Sequence, residues 1–261
     1  MRRGGRIPDV ARKSSQEIEL MREAGRVVGR VLEAMGEAAA PGVNTAELDE
    51  LAEGIIRKAG GVPSFKGYHG YPAAICVAPD DVIVHGIPSA EMVLCEGQVL
   101  GVDVGVELNG YHGDAARTLA IGRISPEWQE LLEATQEALR RGIAAAQAGG
   151  LLCDVSRAVQ GYAESCGYSV VRDLVGHGIG RSMHEPPQVP NFFEEGQFPE
   201  YRLHLRPGHA LAIEPMVNRG TYATALDPDG WTIRTADGEP SAHFEHTVIV
   251  SKDGPLIMTL P

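Results

Sequence analysis

The sequence predicts an α+β fold with an antiparallel sheet. Predicted helices and strands come in blocks along the chain rather than in strict alternation, which is typical of this fold class. An Asn-Gly pair at positions 109 and 110 separates two apolar, strand-like segments and is the strongest short signal for a β-hairpin. A pair of helical segments near the N-terminus is followed by a second pair in the same order after Pro126. A chain of 261 residues has room for one large domain or two halves.

The first two predicted helices follow a basic segment. Ser15 and Glu17 provide a capping signal for the first helix, and apolar residues recur at the helical period until a Pro-Gly pair at 41–42 ends it. The second helix is expected over Thr45–Lys58, with Thr45 as its N-cap. The residues expected to face the core are Ile18, Met21, Val28, Leu32 and Met35 in the first helix, and Leu48, Leu51 and Ile55 in the second.

Two further helices are expected at 128–147 and 155–164. Aligning the two helix pairs places Leu48, Leu51, Gly54 and Gly60 over Val155, Ala158, Gly161 and Gly167. A duplicated α/β half and chance similarity both explain this match. Strand-like segments lie at 73–79, 82–88, 98–108, 111–122, 209–218 and 243–251.

Composition and charge exclude several classes of protein. A hydrophobic content of 43% with 22% charged residues is ordinary for a globular chain and excludes disorder. The net charge of −12 argues against nucleic acid as the main ligand. No apolar run approaches the roughly 18 residues of a membrane span, and the basic start lacks the apolar stretch of a secretory signal. The four cysteines form no CxxC pair, which predicts reduced thiols in a cytoplasmic protein.

The predicted hairpin carries the first chemical signal. One face of its first strand is apolar, whereas the other presents Asp103 between Gly101 and Gly105. The Asn-Gly turn would set Gly105 opposite Asp114 and Asp103 opposite Ala116, so the two carboxylates are diagonal neighbours on one face. Two such charges repel unless they are protonated or bridged by a cation. The alternative is a pair of solvent-exposed acids on an edge hairpin.

Two glutamates repeat this pattern. Glu214 shares a strand face with Ala210 and Ala212, and it precedes a proline that ends or breaks the ladder. Glu245 shares a face with His243. Glutamate is depleted in strands, so two of them in strand-like segments indicate a site.

Histidines supply the remaining candidates. His177 lies between two glycines, and His184 follows in a segment whose glycines and prolines make a helix unfavourable. His85 follows an apolar strand and precedes Gly-Ile-Pro. A histidine held in such a turn can present a neutral imidazole to a metal, although a loop histidine bonded to the backbone is the alternative.

Together these residues predict a metal-dependent hydrolase. The five candidate ligands are Asp103, Asp114, His177, Glu214 and Glu245. Carboxylate oxygens with one nitrogen suit Mn²⁺, Fe²⁺, Co²⁺ or Zn²⁺ rather than a thiolate zinc site. Four anionic ligands are more than one metal needs, so two metals about 3.5–4 Å apart that acidify a bridging water are expected.

The motifs that carry these residues resemble those of the methionine aminopeptidase family, type I, in its short bacterial form. Matching segments run in the correct order over nearly the whole chain: EIELMREAG, APGVNTAELDE, GYHGYPAAICVAPDDVIVHGIPS, the hairpin, GHGIGRSMHE, AIEPMVN and SAHFEHTVIV. The resemblance implies the pita-bread fold, in which two pseudo-symmetric halves form a curved antiparallel β-sheet covered by helices on one side. It implies a single metallopeptidase domain at 15–261, with halves at about 15–123 and 124–250.

The resemblance also implies how the ligands are shared. Asp114 and Glu245 would bridge the two metals, and His177 with Glu214 would complete one site. Asp103 would close the other site, whose metal would also hold the α-amine of the substrate.

The resemblance assigns the chemistry as well. Glu214 would serve the bridging hydroxide as general base and then acid. His85 and His184 would hydrogen-bond the scissile amide and the tetrahedral intermediate. The product would be an initiator methionine released from a nascent chain whose second residue is small.

An apolar pocket for the methionine side chain is implied at the same site. Its expected members are Tyr68, Tyr71, Cys76 and Trp231, joined by Phe65 and Met183. The alternative for Tyr68 and Trp231 is a place in the hydrophobic core.

The resemblance bears on subtype and partners. The interval between Glu214 and Glu245 is too short for the insert of the type II enzymes, and no Cys/His-rich extension precedes Ser15. The expected partners are the N-termini of nascent polypeptides, and the chain is expected to be a monomer. Residues 1–14 are expected to form a flexible basic arm, which could touch the ribosome or serve as a solubilising tail.

Two rival functions differ in class. One is an aminopeptidase P or prolidase, which shares the fold and the metal set but carries a large N-terminal domain. The other is a catalytically inactive pita-bread module that binds peptides. Such modules typically lose metal ligands, whereas all five are present here.

Overall fold

The computed structural model describes residues 6–261. The α-helices in this part of the chain are α1 (Ser15–Ala38), α2 (Thr45–Lys58), α3 (Pro126–Ala145) and α4 (Leu152–Ser165). The strands of the first half are β1 (Val62–Pro63), β2 (Ile75–Pro79), β3 (Val82–Val84), β4 (Val99–Leu108) and β5 (Tyr111–Ala120). Those of the second half are β6 (Ser169–Val170), β7 (Gly176–Gly178), β8 (Glu185–Val189), β9 (Ala210–Ile213), β10 (Met216–Asn218), β11 (Thr224–Leu226), β12 (Ile233–Thr235), β13 (Ser241–His243), β14 (His246–Ile249) and β15 (Leu256–Ile257). Single 3₁₀ turns lie at Tyr68–Gly70 and Pro199–Arg202.

The helix caps differ by one residue from the prediction. Ser14, not Ser15, caps α1: its hydroxyl accepts from the Glu17 N–H, and the Ser14 N–H donates to the Glu17 carboxylate. Asn44, not Thr45, caps α2 because its side chain reaches the Glu47 N–H. In both cases the residue before the predicted cap has the extended backbone that capping needs.

The inward face of α2 is also rotated from the prediction. Leu48 is buried as expected, but Leu51 is 40% exposed. Ala52 and Ile56 occupy the core positions instead. The helices α3 and α4 begin two and three residues before the predicted starts, because Ser125 caps α3 and Leu151 precedes α4.

The β4–β5 hairpin has the predicted register. Gly105 pairs with Asp114 and Asp103 pairs with Ala116. The turn residues Asn109 and Gly110 both have positive φ, as the two-residue turn requires. Every strand pairing between residues 6 and 261 is antiparallel. The α+β prediction is confirmed.

Each helix pair covers its own part of the sheet. The helices α1 and α2 pack on β2, β4 and β5, where Val102, Val104 and Val106 are fully buried. The helices α3 and α4 share a second core with residues of β9, β10, β13 and β14. Because side chains alternate along a strand, Asp103 faces away from the helices.

Two threonines join the halves along β5. The Thr247 hydroxyl accepts from the Asp114 N–H at 3.0 Å and donates to the Asp114 carbonyl at 2.8 Å. Thr118 does the same with the N–H and the carbonyl of His243, both at 2.9 Å. Side-chain hydroxyls here replace a direct backbone ladder. We call these four residues the threonine seam.

The segment before α1 is packed from residue 7 onward. The predicted arm covers 1–14, of which the first five residues lie outside the described part of the chain. Ile7 and Val10 contact the second core, and Lys13 is buried with its N–H bonded to the Gly208 carbonyl. Residues 7–13 of the predicted arm therefore contact the rest of the domain, and the flexibility of the arm stays a prediction. No helix between residues 6 and 261 has the length and apolar character needed to cross a bilayer.

Candidate active site

One cavity of about 320 Å³ collects every side chain that the sequence singled out for the site. These are Phe65, Tyr68, Tyr71, Cys76, His85, Asp103, Asp114, His177, Met183, His184, Glu214, Trp231 and Glu245. Acidic and imidazole groups lie together in this cavity with an apolar cluster. The residues that the sequence predicted to form one site therefore lie together in the structure.

The hairpin provides the first two acids. Asp103 and Asp114 lie on neighbouring strands as diagonal partners, and Asp114 is 3% exposed, which excludes a solvent-exposed pair. A Cβ on Gly105 would lie 2.9 Å from side-chain atoms of both Phe65 and Ser64. Glycine is therefore needed beside the carboxylates, because a larger residue would clash with these two side chains.

The two glutamates lie where the sheet is interrupted. Glu214 falls between β9 and β10, and Asn191 fixes its backbone by donating to the Glu214 carbonyl at 2.9 Å. Glu245 falls between β13 and β14, and its N–H donates to the Ala116 carbonyl at 2.9 Å. That bond continues the threonine seam and brings Glu245 beside Asp114.

His177 is oriented as a potential ligand. Its Nδ1 lies 2.9 Å from the Gly178 carbonyl, to which only a protonated nitrogen can donate. Its Nε2 lies 3.6 Å from Asp114 Oδ2 and 3.8 Å from Glu214 Oε1. Burial lowers the pKa of His177 to about 4, so the ring is neutral at pH 7 and Nε2 has a free lone pair.

Without a nearby cation, the four carboxyl groups of the cavity ionise less readily than usual. Burial raises the pKa of Asp114 to about 8, although a hydrogen bond from Asp103 lowers it in part. Burial, followed by repulsion from neighbouring carboxylates, raises the pKa of Asp103, Glu214 and Glu245. Charged forms therefore need compensation by a positive group.

The donor atoms fit divalent metal. Asp103 Oδ1, Asp114 Oδ1 and Glu245 Oε1 are buried without a hydrogen-bond partner. Ligand atoms of Asp114, His177 and Glu245 all lie within 4.8 Å of one another. Orphaned carboxylate oxygens beside one free imidazole nitrogen are a ligand set for a divalent transition metal.

The other end of the cavity is apolar. Phe65, Tyr71, Cys76 and Met183 are buried in one cluster, against which Trp231 packs. The Tyr71 hydroxyl donates to the Gly86 carbonyl at 2.8 Å, and its ring meets that of Trp231 edge to face at 5.2 Å. Tyr68 is exposed at the mouth, which excludes a place for it in the hydrophobic core.

Two further imidazoles flank the acids. The His184 ring lies 4.3 Å from the His177 ring, and its Nδ1 lies 2.8 Å from the Tyr68 hydroxyl. When that hydroxyl donates, the proton of the imidazole is on Nε2, which can then donate to another group. His85 has a positive φ of 62°, a strained conformation that is frequent at functional sites. Burial lowers the pKa of His85 to about 4, and the partial burial of the His184 ring together with the neighbouring imidazoles lowers its pKa to about 4 as well.

Several residues of the site were missed from the sequence. His243 Nε2 is buried without a partner and lies 3.7 Å from Glu214 Oε2. Its shared strand face with Glu245 was the available signal. Asp173 and Leu174 line the cavity mouth from an irregular segment, and no periodicity marks them.

The chain is similar to known proteins over nearly all of its length. A model of metallopeptidase family M24 matches residues 19–252. The chain is 50% identical over 248 residues to a methionine aminopeptidase of Clostridium acetobutylicum, covering 95% of this chain and 98% of that relative. The crystal structure of methionine aminopeptidase from Thermotoga maritima is similar with a TM-score of 0.93 at 40% identity, covering 97% of this chain and 100% of that chain.

A proline-directed enzyme is less similar. A Xaa-Pro dipeptidase from Bacillus anthracis has a TM-score of 0.74 at 25% identity and covers 95% of this chain but 61% of that chain. The similarity to the methionine aminopeptidases covers nearly all of this chain and nearly all of theirs. The dipeptidase, in contrast, is matched over only part of its own chain. The pita-bread prediction is confirmed by these neighbours.

Proposed function

The chain belongs to the methionine aminopeptidases of metallopeptidase family M24, and from this premise we propose that it removes the initiator methionine of nascent polypeptides whose second residue is small. The observation that carries the proposal is the placement of a cation-binding carboxylate cluster beside a buried apolar cluster in one cavity. The apolar cluster is suited to the methionine side chain, and the acids to the peptide bond next to it.

The proposed ligands are Asp103, Asp114, His177, Glu214 and Glu245, which would hold two divalent cations of cobalt, manganese, iron or zinc. Four carboxylates and one imidazole exceed the needs of a single ion, which supports the number two. When bound, these cations supply a water molecule of lowered pKa and polarise the scissile carbonyl.

Proton transfer is assigned to Glu214. Its carboxylate lies between the imidazoles of His177 and His243, at 3.8 Å and 3.7 Å, and has no hydroxyl or N–H donor that would block it. It takes the proton of the attacking water and returns it to the leaving amine nitrogen. His85 and His184 donate hydrogen bonds to the scissile amide and the developing oxyanion.

The shape of the cavity supports the proposed selectivity. Phe65, Cys76 and Met183 are buried and close its apolar end, so one side chain is admitted and the chain end must lie near the acids. A bulky second residue would collide with the groups around the carboxylates. This favours an exopeptidase that releases only the first residue.

Replacing His184 with alanine is expected to lower kcat by about 10²-fold while bound metal stays unchanged. The imidazole lines the cavity and its Nδ1 is hydrogen-bonded to the Tyr68 hydroxyl, so its loss removes a donor and no proposed ligand. Steady-state kinetics and metal analysis of the purified variant measure both effects. Loss of bound metal would instead assign His184 as a ligand.

Peptide cleavage tests the proposed function directly. We expect release of methionine from a Met-Gly peptide in the presence of Mn²⁺, Fe²⁺ or Co²⁺, and at least 10²-fold less from the matched Met-Leu peptide. A peptide with Xaa-Pro at its N-terminus serves as the probe for the proline-directed rival. Cleavage of that peptide alone, or of no peptide at all, would contradict the proposal.

The remaining predictions concern context. The domain at 15–261 with halves at about 15–123 and 124–250, the cytoplasmic location, the monomeric state and the contact with the ribosome stay predictions.

A further inference from the structure

An ion pair connects the segment before α1 to the rim of the cavity. Lys13 Nζ lies 2.5 Å from Glu185 Oε2, and the two side chains are 5% and 18% exposed. Taking two charges out of water has a large desolvation cost, so such a pair is weak evidence for stability. We therefore interpret this ion pair as a contact that positions nearby residues rather than as a source of stability.

The Glu185 carboxylate has two partners. Oε2 accepts from Lys13, and Oε1 accepts from the Ser182 N–H at 3.2 Å. Burial alone would raise the pKa of Glu185, but the hydrogen bonds from Lys13 and from the backbone lower it below the usual value. The carboxylate is thus ionised and fastens the segment 180–184, which we call the histidine loop.

Lys13 is itself fixed on the opposite side. Its N–H donates to the Gly208 carbonyl at 2.7 Å, and the neighbouring Arg12 donates to the Pro207 carbonyl at 2.9 Å. A Cβ on Gly180 would overlap Lys13 Nζ, so glycine at this position leaves room for the ammonium. The histidine loop therefore packs closely against the Lys13 side chain.

The histidine loop carries two cavity residues. Met183 is 3% exposed in the apolar cluster, and His184 precedes Glu185 directly. His184 is exposed and its side chain has a hydrogen bond to Tyr68, itself an exposed residue. Its position therefore depends on the backbone that Glu185 holds.

We propose that Lys13 is a positioning residue for peptide hydrolysis, which acts through Glu185 to fix Met183 against the substrate side chain and His184 against the scissile amide. This inference rests on the proposed function of the cavity. Lys13 does not touch the reacting atoms. A lysine outside the cavity would thus control both substrate affinity and turnover.

Lys13→Met tests this inference, because it keeps an unbranched side chain only one atom shorter and removes the charge. We expect kcat for a Met-Gly peptide to fall about 10-fold and KM to rise several-fold, since a buried carboxylate without its partner would release the loop. Lys13→Arg should restore most of kcat/KM. Lys58→Met, which removes an exposed cation on α2, is the matched control and should match the unmodified chain within about twofold.

A double-mutant cycle separates positioning from general stability. If Lys13 acts through His184, the effect of Lys13→Met on kcat should shrink markedly in a His184→Ala background. Equal effects in both backgrounds, or unchanged kcat and KM in Lys13→Met, would overturn the inference. Glu185→Gln provides the same test from the other partner if Lys13→Met does not fold. A chain that releases no methionine even when unmodified contradicts the proposed function rather than this inference.

Discussion

Replacing Glu214 with glutamine is expected to lower kcat for a Met-Gly peptide by about 10³-fold, within the range that general acid–base groups contribute. Glutamine has the shape of glutamate but cannot accept a proton. The backbone should stay in place, because Asn191 holds the Glu214 carbonyl and not its side chain. KM should change by less than about threefold.

The measurement is steady-state kinetics at saturating Mn²⁺ with metal content determined on the same sample, because Glu214 is also a proposed ligand. Glu50→Gln is a matched control: Glu50 is exposed on α2, and its replacement should leave kcat unchanged. A fully metal-loaded Glu214→Gln variant with near-normal turnover would show that another group moves the proton.

Removing divalent metal should abolish methionine release and should make stability depend on pH in a defined direction. The folded-state pKa values of Asp103, Asp114, Glu214 and Glu245 are raised, that of Asp114 to about 8. In the unfolded chain, carboxyls titrate near pH 4. Between these values the folded state binds more protons, so its free energy of unfolding falls as pH rises from about 4 to about 8.

Bound metal should reverse this trend, since cations replace the protons and bind more tightly as the carboxyls ionise. Thermal unfolding from pH 5 to pH 9, with and without Mn²⁺, measures the difference, which should widen with pH. Asp114→Asn should reduce the difference in thermal stability between the samples with and without Mn²⁺. Asp9→Asn, at an exposed position, should leave that difference unchanged. Two outcomes would contradict a metal centre made of these acids. One is the same pH dependence of thermal stability with and without Mn²⁺, and the other is activity that survives exhaustive chelation.

The hairpin and its acids were predictable because their signals are local. An Asn-Gly turn fixes the register, and the register alone decides that Asp103 and Asp114 share a face. Strand parity likewise indicated Glu245. Recognising that these segments meet in one cavity depended on the resemblance, because spacing along a chain does not show which distant segments come together.

Other features depend on three-dimensional context. Both Ser14 and Ser15 are good caps by type, and only backbone conformation distinguishes them. Leu51 matches the helical period, but the angle at which α2 packs gives the core position to Ala52. Lys13 looks like one more cation in a basic segment, and its partner Glu185 lies 172 positions away.

The threonine seam has a consequence for how the protein must assemble. Asp103 and Asp114 come from one half, whereas His177, Glu214 and Glu245 come from the other. Neither half contains all five proposed ligands. Along β5 the halves are joined by the threonine hydroxyls and by the Glu245–Ala116 backbone bond, and elsewhere β3 pairs directly with β12. The proposed metal site is therefore complete only when the two halves are docked, and ions bound there would link the halves across their boundary.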